Sequence, residues 1–181
     1  EVLWLSLDPY MRGRMSAAKS YASPLEIGEV ITGGAVGKVI ESKCPSFSIG
    51  DIVEGFSIGW QKFSKVKSHS IRKINPDLAP IQTAVGVLGM PGMTAYFGLF
   101  EVCKPIPGDT VVVSAASGAV GQLVGQLAKL TNCKVIGIAG SEEKCKYLKN
   151  SLGFDHTINY KEQSVYQKIK TFCPEGVNVY F

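Results

Sequence analysis

The sequence predicts an α/β protein in which a β-rich first part precedes a parallel sheet with alternating helices. The first observation is the unbroken apolar triplet Val111–Val113, which is typical of a strand buried on both faces. The second is a helical pattern directly after it, with Val120, Leu123 and Val124 on one face. The third is that strand and helix patterns continue to alternate up to Phe181, which indicates parallel strands joined by crossover helices.

Short strands are predicted in the first part of the chain, where glycine turns precede apolar runs. Gly33 and Gly34 come before a run at Ala35–Glu41. Gly50 comes before a second run at Ile52–Phe56. Such short runs bounded by turn residues are typical of antiparallel β structure.

A change of pattern near position 80 predicts two domains. The loop residues Asn75–Asp77 are followed by a predicted helix at about Met93–Val102. We therefore divide the chain into a β-rich domain at residues 1–82 and a nucleotide-binding domain at residues 83–181.

The turn after the valine strand has the spacing of a dinucleotide-binding fingerprint. It matches G-x-G-x-x-G with Ala116 in the first position, followed by Gly118 and Gly121. Glycine there allows a pyrophosphate to approach the backbone, while Ala119 and Val120 begin a helix whose free N–H groups favour anions. A tight turn in any α/β protein is the alternative interpretation. The strand before and the helix after favour dinucleotide binding.

The remaining elements extend the alternation. Ser141 is a good N-cap and Gly153 a good C-terminal stop for the helix between them. The predicted elements after the fingerprint helix are a strand at Lys134–Ala139, this helix, a strand near Thr157–Ile158, a helix with Val165, Ile169 and Phe172, and a strand at Val177–Phe181.

The end of the second strand indicates which nicotinamide cofactor is bound. NAD sites carry an acidic residue there for the ribose 2′-hydroxyl, but Ile138–Ser141 contains none. Lys144 follows one helical turn later and could pair with a 2′-phosphate, although a solvated surface lysine is the alternative. Glu142 and Glu143 would oppose phosphate binding if either faced the site. The pattern favours NADPH/NADP⁺.

The sequence resembles the prostaglandin reductase branch of the zinc-free medium-chain dehydrogenase/reductases along its whole length. The greatest likeness within that branch is to enzymes that reduce 15-oxo-prostaglandins. The segments that carry the resemblance are Leu5–Met15, Gly89–Gly98, Ala115–Gly121, Gly140–Cys145, Leu152–Asp155, Ile158–Lys161 and Cys173–Phe181.

This resemblance implies a partial GroES-like β-rich domain followed by a partial Rossmann parallel sheet. It also implies NADPH-dependent reduction of the carbon–carbon double bond of enones, at a site between the two domains. Gly118–Gly121 would hold the pyrophosphate, and Lys144 and Tyr160 would contact the 2′-phosphate.

The resemblance also places residues at the substrate. Tyr21 corresponds to a tyrosine at the substrate ketone and is the candidate catalytic residue, whereas Tyr10, Phe56 and Ser57 are candidate substrate-binding residues. Ser57 departs from the aromatic hydroxyl of the family, so the resemblance does not define the shape of the substrate pocket. For Tyr21 and Phe56, ordinary packing is the alternative.

The family pattern is longer than this chain. The sequence opens inside a predicted strand at Glu1 without an initiator methionine, and it stops inside another at Phe181. We therefore expect a fragment that lacks the first strands and roughly the last third of the enzyme. In the family, a second tyrosine near the nicotinamide ribose lies in the missing part.

Composition and cysteine spacing limit the remaining functions. The chain has 181 residues, 45% of them apolar and 19% charged, which fits a globular protein. Its five cysteines show no disulfide or zinc spacing, and we assign no role to His69 or His156. We expect no metal, no membrane segment and a cytoplasmic location, with a small enone as partner and a monomer or a homodimer as the assembly.

Two other classes of function stay open. Trp60–Lys67 alternates basic and aromatic residues, Arg72 and Lys73 follow, and the formal net charge is +4. A strand of this kind could bind single-stranded nucleic acid, but a half-buried strand with lysines facing water gives the same pattern. We expect no nucleic acid. A cofactor-binding protein without catalysis is the third possibility.

Overall fold

The computed structural model describes residues 1–18 and 23–181, which form two compact units. The units are Glu1–Gly89 and Met90–Phe181. The boundary follows the position expected from sequence by seven residues, because the 3₁₀ helix Ile81–Val85 packs on the strands of the first unit.

The first unit contains a four-stranded antiparallel sheet with its strands in sequence order. Val36 and Val53 are buried in it. Its elements are β1 (Val2–Leu5), α1 (Pro9–Arg14), β2 (Ala35–Lys38), β3 (Ile52–Gly55), the 3₁₀ helix Ser68–Ser70, β4 (Arg72–Lys73) and the 3₁₀ helix Ile81–Val85. The predicted strands at 35–41 and 52–56 are confirmed, each with an earlier end.

Helix α1 was not predicted from sequence. It begins with Pro9, whose missing N–H is not needed in a first turn. Met11 is the buried residue of this helix, and its sulfur accepts a hydrogen bond from the N–H of Asp8 at 3.4 Å.

The strand predicted at Trp60–Lys67 is absent from the described part of the chain. These residues form bends and irregular loop, so the alternation of basic and aromatic side chains does not define a strand face. The basic residues that follow are paired with acids. Arg72 forms an ion pair with Glu54, and Lys73 Nζ lies 2.6 Å from a carboxylate oxygen of Asp51. The prediction of a strand at Trp60–Lys67, on which the nucleic-acid interpretation depended, is therefore wrong.

The second unit is built on a parallel sheet with the strand order β7-β6-β5-β8. The described elements are α2 (Met90–Tyr96), a π-helix (Phe97–Cys103), β5 (Thr110–Val113), α3 (Ala119–Leu130), β6 (Lys134–Ala139), α4 (Glu142–Leu152), β7 (His156–Asn159), α5 (Val165–Phe172) and β8 (Val179–Tyr180). The predicted alternation is confirmed. The helix expected at 93–102 instead begins at Met90 and continues as a π-helix.

The sheet of the second unit is covered on both faces. Val111 and Val113 belong to a core shared with α3 and α4, whereas Val112 belongs to a second core shared with α5. This division explains the valine triplet, because alternate side chains of a strand point to opposite faces.

Phe154 fills the space between α3 and β6. Its ring occupies the volume that a side chain at Gly125 or Gly137 would need, with approaches of 2.0 Å and 2.8 Å to β-carbons built there. The next residue, Asp155, accepts hydrogen bonds from Lys129 Nζ at 2.8 Å and from the N–H of Val135 at 2.6 Å. Partial burial opposes ionisation of Asp155, yet these donors hold its pKa below the usual value.

None of the helices in the two described stretches combines the length and apolar character that a membrane-spanning segment requires.

Candidate nucleotide-binding site

The N-terminus of α3 lies at the carboxyl end of β5, beside β8. Across the sheet, the strands that follow β5 in the chain, β6 and β7, lie on one side of it, and the last strand, β8, lies on the other. The strand order therefore reverses between β5 and β8. In open α/β sheets, ligands bind outside the strand ends at such a reversal. The fingerprint turn is therefore at the position where this fold binds nucleotides.

The first turn of α3 is open to a ligand. Gly118 is its N-cap and supplies no capping side chain, whereas Ser141 caps α4 and Ser164 caps α5. The N–H groups of Ala119, Val120 and Gly121 thus have no acceptor within the helix. Three such donors at the positive end of the helix dipole favour an anion.

Glycine is needed most strictly at the end of the fingerprint. A β-carbon on Gly121 would lie 2.6 Å from the carbonyl oxygen of Ala115 and 2.8 Å from the Cα of Ala116. A β-carbon on Gly118 would meet that carbonyl oxygen at 3.1 Å and nothing else within 4 Å. Gly121 therefore permits the turn to pack on its helix, and Gly118 leaves the outer surface of the turn accessible.

Ala115 and Ala116 fix the shape of the turn. Ala115 has a φ of 44°, an uncommon left-handed conformation for alanine, and its carbonyl accepts the N–H of Gly118 at 2.8 Å. Ala116 is fully buried and donates its N–H to the carbonyl of Ile138 at 3.0 Å. Its methyl group fits because Gly137, opposite it, has no β-carbon.

A second group of predicted residues lies where β6 ends. The phenol of Tyr160 lies against Gly140, and the N–H of Tyr160 donates to the carbonyl of Ala139 at 3.1 Å. Lys144 is in the first turn of α4, where its N–H donates to Ser141 Oγ at 3.3 Å. Within residues 1–18 and 23–181, the Lys144 side chain forms no ion pair. Its ammonium group is available to a ligand.

The described candidates for substrate binding lie in the first unit. Tyr10 stacks on Phe56, with ring centroids 5.8 Å apart, and the Phe56 side chain is half exposed. Ser57 is next along the chain and donates its hydroxyl to Ser70 Oγ at 2.8 Å. Tyr21 lies outside the described residues. The first unit thus brings Tyr10, Phe56 and Ser57 together.

A cavity of about 770 Å³ in the first unit lies apart from these residues. It is lined by apolar side chains such as Val39, Val53 and Phe63, and by none of Tyr10, Phe56 and Ser57. This cavity therefore does not support the substrate assignment.

Two features of the candidate nucleotide site were not predicted from the sequence. One is the contact of Gly140 with Tyr160, for which a glycine directly after a strand was the available signal. The other is a hydrogen bond at 3.2 Å from Tyr147 Oη to Gln122 Oε1, which joins α4 to α3 and has no signal in the sequence.

Two family models match the chain. Residues 1–74 match the N-terminal domain of oxidoreductase, and residues 119–181 match zinc-binding dehydrogenase. In the described parts of the chain, no three His, Cys, Asp or Glu side chains are grouped to hold a metal ion.

Curated relatives match nearly the whole chain. The NADP⁺-dependent 2-alkenal reductase of Nicotiana tabacum is 50% identical over 99% of this chain and 53% of its own length. Prostaglandin reductase 1 of Rattus norvegicus is 46% identical over 100% of this chain and 54% of its own length. The chain spans about half the length of these relatives.

A solved structure has the same fold over the same extent. The crystal structure of CurA in complex with NADPH from Vibrio vulnificus matches with a TM-score of 0.84 and 46% sequence identity. The match covers 99% of this chain and 53% of that protein.

Proposed function

Since the chain belongs to the medium-chain dehydrogenase/reductase superfamily, we propose that its protein is an NADPH-dependent reductase of the carbon–carbon double bond in α,β-unsaturated ketones. The observation that carries the proposal is the open N-terminus of α3, with Gly118 and Gly121 beside it. A pyrophosphate fits there, because it accepts the free N–H groups of Ala119 and Val120 and needs a surface without side chains.

Lys144 and Tyr160 support the preference for NADPH over NADH. Both lie where β6 ends, and neither is an acidic residue of the kind that binds a free ribose 2′-hydroxyl. A lysine and a phenol together supply charge and hydrogen-bond donors to a 2′-phosphate. The names of the tobacco and Vibrio relatives, which specify NADP⁺ and NADPH, agree with this assignment.

The proposed reaction places negative charge on the substrate oxygen. When bound, NADPH would supply a hydride to the β-carbon of the enone, negative charge would build on the carbonyl oxygen as an enolate, and a proton from water at the α-carbon would complete the reduction. A hydrogen-bond donor at that oxygen stabilises the transition state more than the ground state. We assign this role to Tyr21 and enone binding to Tyr10, Phe56 and Ser57, on the family resemblance and on the stacking of Tyr10 with Phe56.

For the substrate, we propose 15-oxo-prostaglandins, reduced at the 13,14 double bond. The 46% identity with a prostaglandin reductase supports this class. A broad alkenal or quinone reductase is the second candidate, because the tobacco 2-alkenal reductase is 50% identical. We further propose a cytoplasmic enzyme, monomeric or homodimeric, that binds no nucleic acid.

A substrate panel tests this function. The full-length protein is supplied with NADPH and, in separate reactions, a 15-oxo-prostaglandin, a short alkenal and a quinone, while loss of NADPH absorbance is followed. We expect enone-dependent oxidation, with the highest kcat/KM for the 15-oxo-prostaglandin. A higher value for the alkenal selects the second candidate. Tight NADPH binding without turnover of any substrate would select a non-catalytic nucleotide-binding protein.

A further inference from the structure

Tyr147 and Gln122 link the two helices that carry the proposed phosphate sites. Tyr147 Oη donates to Gln122 Oε1 at 3.2 Å. Gln122 directly follows Gly121 at the open end of α3, and Tyr147 follows Lys144 by three residues, or about one turn of α4. One hydrogen bond therefore connects the pyrophosphate end of α3 with the part of α4 that carries Lys144.

The remaining contacts between α3 and α4 are less directional. The helices meet through buried apolar side chains, among them Val124, Cys145 and Leu148. Apolar packing sets how close two helices come but depends little on direction, whereas a hydrogen bond requires its two atoms at a defined distance and angle. Across the described residues of α3 and α4, the Tyr147–Gln122 bond is the one hydrogen bond that joins them.

We propose that Tyr147 and Gln122 are positioning residues that fix the separation between the pyrophosphate site and the 2′-phosphate site. This inference rests on the proposed function. NADPH would contact both sites at once, so its affinity depends on their separation. NADH lacks the 2′-phosphate and uses the pyrophosphate site alone. The pair is therefore a determinant of the preference for NADPH over NADH, without itself contacting the cofactor.

The exposure of Tyr147 separates this role from a stabilising one. Its side chain is 44% exposed, so water replaces Gln122 as its partner when the bond is broken. A hydrogen bond exchanged for one to water contributes little to folding stability. Loss of the bond should thus leave the unliganded protein almost as stable as before while changing cofactor preference.

A double-mutant cycle in the full-length protein tests the proposal. Tyr147→Phe removes the donor, Gln122→Met removes the acceptor at similar size, and the double variant lacks both. Dissociation constants for NADPH and NADH are measured by calorimetry without substrate. We expect each single variant to raise the NADPH constant about two- to tenfold and to leave NADH unchanged. The double variant should lose no more than either single variant, since both remove the same bond.

Two controls accompany the cycle, one on folding stability and one on Lys144. Melting temperatures of the unliganded variants should stay within about 2 °C of the parent, because this hydrogen bond contributes little to folding stability. Additive losses, or equal losses for NADPH and NADH, would overturn the positioning role. Lys144→Ala separates the two proposals. If it weakens NADPH and NADH binding equally, the proposed 2′-phosphate site itself is refuted. If Lys144→Ala weakens NADPH binding alone, while the effects of Tyr147→Phe and Gln122→Met on NADPH binding are additive, the Tyr147–Gln122 inference alone is refuted.

Discussion

The phenol ring of Tyr160 lies directly against Gly140. A β-carbon on Gly140 would be 3.0 Å from Tyr160 Oη and 3.1 Å from its Cε1. Gly140→Ala must therefore displace the ring, which is exposed enough to move. We expect the NADPH dissociation constant to rise about two- to tenfold, as for loss of one hydrogen bond, with little change for NADH. Gly13→Ala is the control, because a β-carbon there meets nothing within 4 Å. Unchanged NADPH binding in Gly140→Ala would show that contact with Gly140 does not set the position in which the Tyr160 phenol binds the phosphate.

Lys144→Ala tests the charge at the 2′-phosphate. A charge-assisted hydrogen bond contributes about 1.5–3 kcal/mol, so the NADPH dissociation constant should rise roughly 10- to 100-fold. NADH binding should be nearly unchanged. Lys146→Ala is the matched control, since it removes an exposed lysine from the same helix. Equal losses for the two cofactors would give Lys144 a different role.

The two fingerprint glycines should respond differently to alanine. Gly121→Ala forces a methyl group against the backbone of Ala115 and Ala116, so the free energy of unfolding should fall by about 1–3 kcal/mol. A β-carbon at Gly118 makes one contact, at 3.1 Å, so the free energy of unfolding of Gly118→Ala should stay within about 1 kcal/mol of the parent. This variant should nevertheless bind both cofactors more weakly. Urea titrations and calorimetry measure the two effects. A Gly118→Ala protein with full cofactor affinity would contradict pyrophosphate binding at this turn.

Metal independence is expected even though one matching family model is described as zinc-binding. The sequence lacks the cysteine and histidine spacing of a zinc site, so activity should survive exhaustive chelation. Elemental analysis of the purified protein should find no stoichiometric zinc. Activity that is lost on chelation and returns with added zinc would refute both metal independence and membership of the zinc-free branch.

Tyr21→Phe tests the proposed hydrogen-bond donor to the substrate oxygen, which lies outside the described residues. The change keeps the ring and deletes the hydroxyl. Removal of a sole oxyanion donor costs about 10²–10³ in turnover. We expect about tenfold here, because we propose that Tyr21 shares the role with the cofactor's ribose hydroxyl and with the family's second tyrosine. Single-turnover rates with an enone measure the effect. An unchanged rate would make Tyr21 a packing residue.

The second unit could be predicted closely because its signals are local. The valine triplet lies within β5, and the Ser141 cap and the Gly153 stop lie directly beside α4. Both β6 and α4 were predicted at their observed ends. The π-helix at Phe97–Cys103 could not be predicted, since its sequence also fits an ordinary helix.

The first unit and the contacts between elements were harder to predict. Trp60–Lys67 alternates like a strand, yet it is irregular because alternation does not guarantee a neighbouring strand to pair with. The contact of Tyr160 with Gly140 depends on how β7 lies beside β6, and the Tyr147–Gln122 bond depends on how α4 lies on α3. Such relationships arise only when the chain has folded.

The Phe154 ring occupies the space that side chains at Gly125 and Gly137 would need. A methyl group added at either glycine would have to be matched by a smaller side chain at position 154, and shrinking Phe154 alone would leave a hole beneath the fingerprint turn. Ala116 borders the same space through Gly137. The size of residue 154 therefore limits what can stand at Gly125 and Gly137, so a redesign of the turn has to begin with the core beneath it.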